Sequence, residues 1–381
     1  MTTKTEAIEE TELITGNQAV AKAVMMAGVR CVPAYPITPQ TVIVETISQL
    51  IDSGQMDAEF ILVESEHSAM AAAIGSSLAG VRTFTATSSH GLLYMGELVF
   101  WAGMTRIPLV MANVNRSLNP WNIWPDHQDS MAFRDAGWIQ FYGKNNQEVF
   151  DLVLQAFRIA EHHKIWMPTM ICLDGFILSH TSSLVNIPPQ SLVSEFVGEF
   201  KPLAMLDTND PFSHGSLTAS TELNELRRSI MTGFDNARIL IPKIMEEFSS
   251  KFGRDWGGLL EVKGDVDQAN VAVIAMGTLG EETEQAVKYL AEEEGKHALS
   301  VRIRAFRPFP KKELAEILSK VEKIIIIDRA VSFGNEGQIA IEVKALLYDE
   351  GMKKEVHALI KGLGGLDVDH REIVKEIKKV M

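Results

Sequence analysis

Three residues far apart in the chain carry groups that one reaction can use together: a hydroxyl at Thr38, a carboxylate at Glu66 and a guanidinium at Arg116. Thr38 lies in Tyr35-Pro36-Ile37-Thr38-Pro39. A residue before proline is pushed towards extended or turn geometry, so its hydroxyl sits at a fixed place on a loop. Glu66 lies in Glu64-Ser65-Glu66-His67-Ser68-Ala69-Met70-Ala71-Ala72-Ala73, at the start of a helix built of small residues. Small side chains allow close backbone approach, so this carboxylate is expected to be buried in an interface or against a ligand. A buried carboxylate needs a partner. Alone, Glu66 reads equally well as a charge that compensates a helix N-terminus, and Arg116 reads as a salt-bridge partner. Together they fit one chemistry. An arginine fork grips a small carboxylate through two parallel hydrogen bonds, Thr38 bonds the same anion, and the glutamate exchanges a proton with a ring nitrogen.

Other motifs have weaker claims. Gly277-Thr278-Leu279-Gly280 is half of a dinucleotide fingerprint and reads as a tight strand-to-helix turn. Ser88-Ser89-His90-Gly91 lacks the glycine a nucleophile elbow needs before its serine. Asp126-His127-Gln128-Asp129 fits no metal-ligand spacing and reads as a loop network that positions Arg116 or a substrate. His162-His163 is expected to face solvent at a helix end. Cys31 and Cys172 lie in apolar strand-like runs and read as buried thiols. No CxxC is present, so the chain by itself offers no cysteine site for zinc or an iron–sulfur cluster.

The elements that must position these groups alternate between strand and helix. Strands are predicted at 29–34, 59–63, 81–87, 109–114, 138–142 and 168–173, and helices at 16–26, 41–51, 67–78, 91–102 and 146–163. Such repeats predict a parallel, doubly wound α/β sheet, whose ligands bind at the carboxyl ends of the strands. The loops at 35–39, 64–66, 87–91, 115–129 and 174–180 all follow strands and should collect on one edge. Residues 186–220 read as irregular. A long helix spans 223–252, and a second β–α unit begins near 266. Its strands are predicted at 271–275, 298–303, 324–328 and 357–361.

The 381 residues suffice for two or three domains. The net charge of −14, without basic clusters, argues against nucleic-acid binding. No apolar run is long enough to span a membrane, and the acidic, polar N-terminus is not a signal peptide. A cytoplasmic protein is expected.

The motifs in order match a known family. They include the segments around Thr38 and Glu66, Gly80–Thr87, Asn115-Arg116, Asn122-Ile123-Trp124, Asp126–Asp129, Arg134-Asp135, Gly137–Gln140, Asn145–Glu148, Asp174-Gly175-Phe176, Arg307-Pro308-Phe309-Pro310 and Gly364-Gly365. Over nearly its whole length the chain resembles the alpha subunit of 2-oxoacid:ferredoxin oxidoreductases, pyruvate:ferredoxin oxidoreductase in particular. The resemblance implies a thiamine diphosphate pyrimidine-binding domain at 15–185 after a tail at 1–14, a connecting arm and helix at 186–265, and a transketolase C-terminal-like α/β domain at 266–381. It implies that Glu66 bonds the aminopyrimidine ring, with Pro36 and Ile37 beside the cofactor, and that Thr38 and Arg116 hold the 2-oxoacid. A beta subunit would bind the diphosphate and Mg²⁺. Ferredoxin-like and gamma subunits would complete the complex, with iron–sulfur clusters on the partner chains. Coenzyme A would take the acyl group, and ferredoxin would take the electrons.

Two departures bear on the substrate. His90 stands where most of the family has glutamine, so it could touch substrate or cofactor or be a satisfied core histidine. Asn119-Pro120-Trp121 replaces a commoner Ala-Pro. Pyruvate fits the Thr38 loop best, and 2-oxoisovalerate, 2-oxoglutarate, phenylglyoxylate and oxalate are alternatives. A non-catalytic scaffold subunit is the rival class, which the joint presence of Thr38, Glu66 and Arg116 argues against.

Overall fold

The structure is a computed structural model that describes residues 10–211, 213–215 and 217–381. The first half runs β1 (Glu10–Thr15), α1 (Gly16–Met26), β2 (Cys31–Ala34), α2 (Thr41–Asp52), β3 (Glu59–Leu62), α3 (Glu66–Leu78) and β4 (Phe84–Thr87). It continues with α4 (Ser89–Tyr94), α5 (Gly96–Met104), β5 (Val110–Asn115), α6 (Gln128–Met131), β6 (Ile139–Tyr142), α7 (Asn146–Ala160), β7 (Thr169–Asp174) and β8 (Ser182–Ile187). Helices α8 (Gln190–Val197) and α9 (Ser220–Phe252) connect it to the second half. That half is β9 (Leu260–Lys263), β10 (Val271–Met276), α10 (Thr278–Glu294), β11 (Leu299–Ile303), β12 (Ala305–Arg307), α11 (Lys311–Ser319), β13 (Lys323–Asp328), α12 (Gln338–Asp349), β14 (Glu355–Ile360) and α13 (His370–Val380).

The first main sheet has the order β12-β6-β7-β5-β4. Strands β6, β7, β5 and β4 are parallel, and β12 adds an antiparallel edge. The parallel pair β2–β3 extends it through the bridge between Cys31 and Thr83. The second sheet has the order β14-β13-β10-β11-β9, parallel except for β9. The doubly wound α/β reading is borne out. Its cause is visible in β5, β7 and β10, strands buried along their whole length and mainly apolar, with the polar residues of β5 and β7 confined to Asn113, Asn115, Thr169 and Asp174, as a sheet covered on both faces requires. Both free thiols, Cys31 and Cys172, are buried as expected.

Several elements differ from the sequence reading. Of the tail expected at 1–14, the first nine residues lie outside the described residues, and the rest belong to β1. That strand pairs antiparallel with β8, apart from the main sheets, so no strand–helix alternation announces it. Within the stretch read as irregular, β8 ends and α8 begins, the helix starting directly after Pro188-Pro189. The helix expected over 91–102 breaks at Met95, where Gly96 lets the Phe133 ring approach the backbone; a Cβ there would stand 3.2 Å from the ring. Strands β9 and β12, of four and three residues, are too short to leave a pattern.

The two halves share buried ion pairs. Glu148 of α7 is fully enclosed and receives Arg302 at 2.9 Å and Arg304 at 2.6 Å from the second half. Arg302 also pairs with Glu261 at 2.7 Å, and Lys144 reaches Glu284 at 2.6 Å. Burial would raise the Glu148 carboxyl, but the two guanidiniums hold it down at about 2.

Candidate active site

The loop after β2 is fixed from three sides. Asn17 donates to the Pro39 carbonyl at 2.8 Å, Gln40 donates to the Ala86 carbonyl at 3.2 Å, and Gly175 packs against Pro39. The Thr38–Pro39 peptide is cis. Thr38 and Pro36 are exposed and Ile37 is half-buried, so the loop offers its side chains to the outside of the sheet edge.

Glu66 is the first residue of α3, and Ser65 caps the helix by accepting from the Ser68 amide at 3.3 Å. The Glu66 side chain is 7% exposed. Among the described residues, none donates a hydrogen bond to its carboxylate. Beside it stands the start of α4: a Cβ on Gly91 would lie 2.6 Å from Glu66 Oε1 and 2.7 Å from Thr87 Oγ1. The hydroxyls of Thr87 and Ser88 are buried without partners. A carboxylate on a buried residue with no donor among the described residues, beside the unpartnered Thr87 hydroxyl, is a place where a donor from another molecule is favoured.

Arg116 directly follows β5 and is 9% exposed. Its Nη1 donates to the Thr38 carbonyl at 2.6 Å, its Nη2 lies 3.4 Å from His90 Nδ1, and its Nε is buried without a partner. Burial pulls this guanidinium below its ordinary value, against the attraction of Asp129 and Glu66. The structure therefore brings Thr38, Glu66, His90 and Arg116 together at the carboxyl edge of the first sheet, on the ends of β2, β3, β4 and β5. In the chain as it stands, Arg116 bonds the backbone of Thr38, not its hydroxyl.

His90 is held on two sides. Its Nδ1 lies 3.1 Å from Ser89 Oγ, its Nε2 contacts Asn119 Oδ1, and its ring packs on Trp121 with centroids 4.4 Å apart. Ser89 Oγ donates to the Ser117 carbonyl at 2.8 Å. With Nε2 donating to Asn119 Oδ1, Nδ1 is left as the acceptor for Arg116.

The centre of this arrangement is Asp129, which is fully buried. It accepts from the amides of Ser89 at 3.0 Å, Arg116 at 3.2 Å and Ser130 at 2.8 Å, and from the side chains of Asn113 at 3.1 Å and Asn115 at 2.7 Å. Burial pushes its carboxyl up, and these donors oppose the shift. The 126–129 motif is thus a positioning network. No group of metal-ligating side chains occurs among the described residues. His127 turns away from it to Asp174 at 2.7 Å, which also receives Arg329 at 2.9 Å and the Thr278 amide at 3.1 Å. Burial opposes ionisation of Asp174, but Arg329 and His127 hold its carboxyl far below the usual range. The Gly277–Gly280 turn is a strand-to-helix turn whose first glycine, at φ +60°, approaches His127 and Asp174. Sequence reasoning missed this cluster because its members come from both halves. Of the histidine pair at 162 and 163, His163 is exposed and His162 half-buried.

The second half closes one side of the site. Asn122 donates to the Gly364 carbonyl at 3.1 Å, and the Gly365 amide donates to the Pro125 carbonyl at 2.8 Å. A cleft of about 700 Å³ opens from His90, Ser117 and Asn119 to Val331, Phe333 and Gly364. Large apolar side chains stay exposed around the site, with Leu62 at 69%, Trp121 at 76% and Phe333 at 85%.

Comparison with known proteins accords with this geometry. Residues 22–246 match the family model for pyruvate flavodoxin/ferredoxin oxidoreductase, thiamine diphosphate-binding. Residues 269–373 match pyruvate:ferredoxin oxidoreductase core domain II. The ketoisovalerate oxidoreductase subunit VorA of Pyrococcus horikoshii is 44% identical over 97% of this chain and 94% of its own. The pyruvate synthase subunit PorA of Methanocaldococcus jannaschii is 42% identical over 98% of this chain and 96% of its own. Among solved structures, a 2-oxoglutarate:ferredoxin oxidoreductase from Magnetococcus marinus, with 2-oxoglutarate, coenzyme A and succinyl-CoA bound, aligns with TM-score 0.76 at 19% identity. That alignment covers 97% of this chain and 65% of the other. A split-gene transketolase, an inactive beta4 tetramer, aligns with TM-score 0.55 at 14% identity over 96% and 98%. At these identities the two structures speak for the fold alone.

Proposed function

This chain belongs to the pyruvate flavodoxin/ferredoxin oxidoreductase family, as an alpha subunit of the 2-oxoacid:ferredoxin oxidoreductases, and we propose that it supplies the proton-handling and substrate-gripping half of their active site. The observation that carries this reading is Glu66, a 7%-exposed residue whose carboxylate has no donor among the described residues, sharing the space beside Gly91 with the unpartnered Thr87 hydroxyl and standing within electrostatic reach of Arg116.

The residues present fit thiamine diphosphate. A ring nitrogen able to carry a proton would satisfy Glu66, and an exocyclic amine would satisfy a hydroxyl such as that of Thr87. Pro36 and Ile37 would border the same ring. When bound, thiamine diphosphate supplies a nucleophilic carbon for the 2-oxo group and a place for the electron pair that decarboxylation leaves behind.

The chain's own residues do the rest. Glu66, largely screened from water, holds and returns one proton at its carboxylate oxygen. Arg116 turns its guanidinium towards the substrate carboxylate, and its unpartnered Nε marks spare donor capacity. Thr38 adds a hydroxyl at the same end. His90, fixed by Asn119 and Trp121, steadies Arg116 and borders the cleft in which the substrate's side chain would lie.

In this proposal the exposed apolar rim at Leu62, Trp121 and Phe333 is covered by a beta subunit that brings the diphosphate and Mg²⁺. Iron–sulfur clusters on that and the ferredoxin-like and gamma subunits carry electrons to ferredoxin, and coenzyme A takes the acyl group. No helix among the described residues is long and apolar enough to cross a membrane, and a cytoplasmic location is part of the proposal.

Pyruvate is the substrate proposed. A branched-chain 2-oxoacid is the second reading, favoured by the 44% identity to a ketoisovalerate oxidoreductase subunit. The test is co-purification of the assembled complex followed by viologen reduction with a panel of 2-oxoacids and coenzyme A. The proposal expects a partner with CxxC pairs, bound thiamine diphosphate, and the highest kcat/KM for pyruvate. Turnover by the lone chain would overturn it, and preference for 2-oxoisovalerate would select the second reading.

A further inference from the structure

The motifs Arg134-Asp135 and Arg307-Pro308 take no part in the site above, yet they meet in space: Arg307 Nε donates to the Arg134 carbonyl at 3.1 Å. They form one wall of a cavity of about 330 Å³ whose other wall is α9. Helix residues 227, 230, 231, 234 and 238 face it, at steps of three, one, three and four. That spacing is a single stripe along roughly three turns, about 16 Å long. Ile230, Met231 and Phe234 make an apolar floor, and Arg227 and Arg238 stand at its two ends. The cavity is remote from the catalytic edge. Met104 precedes β5, Gly137 precedes β6, and Arg307 of the antiparallel β12 lies opposite Gln140, so these groups gather at the amino ends of the parallel strands.

The charges are unevenly committed. Arg307 is tied to Glu342 at 2.7 Å and Asp135 at 3.4 Å, Arg238 pairs with Asp235, and Arg134 makes only a 3.6 Å contact with Asp135. Arg227 is exposed, lies against the Met104 sulfur, and has no carboxylate partner among the described residues. Four guanidiniums against three carboxylates, Asp135, Asp235 and Glu342, leave a small net positive charge around this apolar cavity, on a chain of net charge −14, with Arg227 the least committed of the four. The geometry points to a binding site for a small amphipathic anion: a carboxylate, sulfonate or phosphate head gripped by Arg227 with Arg134, and an apolar or aromatic body laid on Met231 and Phe234. The volume suits a compact ligand, at the lower end of the ~300–1,000 Å³ of ligand cavities. The site stands independently of the proposed catalytic role.

The test titrates the full chain with anilinonaphthalenesulfonate, followed by fluorescence, against phenylnaphthylamine, which has the same body without the anionic head. The expected result is saturable one-to-one binding of the sulfonate, at least about tenfold tighter than the neutral probe, and about tenfold weaker in Arg227→Gln, because a charged hydrogen bond is lost. An unchanged melting temperature in Arg227→Gln separates this loss from unfolding. Displacement by adenosine monophosphate identifies a nucleotide-like ligand, and displacement by phenylacetate identifies an aryl carboxylate; either supports the site. Unsaturable binding, equal affinity for the two probes, or full affinity in Arg227→Gln would overturn it.

Discussion

At the scale of single residues, the site depends on how Arg116 is presented. Its guanidinium is fork-shaped, so Arg116→Lys keeps the charge and loses the second hydrogen bond. In the assembled complex that change should raise KM for the 2-oxoacid by roughly 10–100-fold, with kcat less affected; steady-state kinetics checks it. Asp129 acts one step back from the reaction, through the amides of Ser89 and Arg116. Asp129→Asn exchanges an acceptor oxygen for a donor among groups that all donate. It should lower kcat/KM by at least about tenfold and destabilise the chain by about 1–3 kcal/mol, as read by kinetics and thermal melting. Thr38, Glu66 and Arg116 were legible because each residue type fits its place at a strand or helix end. The hub at Asp129 was legible only as a loop network. Its five donors come from segments 13 to 40 residues away or from its immediate neighbour, and no local pattern links them.

Among the elements, the meeting of α3 and α4 decides whether Glu66 has room. Gly91 has no side chain where any Cβ would press on Glu66 Oε1 and Thr87 Oγ1. Gly91→Ala should displace the carboxylate and cut turnover at least about tenfold, while stability falls by no more than the ~1–3 kcal/mol usual for overpacking. Activity and melting measured on the same preparation separate the two effects. Helix α3 was readable from Ser65 and the alanine run that follows Glu66. The break at Met95 was not, because Gly96 answers to Phe133, which lies 37 positions along the chain. Strands β8, β9 and β12 escaped for a related reason: each is an edge strand defined by its partner, not by an alternation of its own.

For the whole molecule, the buried pairs between the two halves set the response to acid. Glu148 sits at about 2 in the folded chain and near 4.3 when unfolded, so it binds fewer protons folded than unfolded across that range. Its stabilising contribution, about 3 kcal/mol, is complete above roughly pH 4.5 and is lost as pH falls towards 2. Glu148→Gln should cost about 3–5 kcal/mol at neutral pH by stranding Arg302 and Arg304, and should flatten this part of the acid-unfolding curve; urea melts at several pH values check it. The contact between halves was hidden in the sequence, although Glu148, Arg307 and Gly364-Gly365 stood in recognisable motifs, because no spacing reveals which charges will face one another after folding. The central claim is that this chain provides the carboxylate that handles the cofactor's proton. Its most direct test is 2-oxoacid-dependent viologen reduction by the reconstituted complex carrying Glu66→Gln, with thiamine diphosphate saturating and subunit composition verified. The account predicts a loss of at least about 100-fold, the lower range for acid–base groups, in a complex that still assembles; activity above about a tenth of the parent would contradict it.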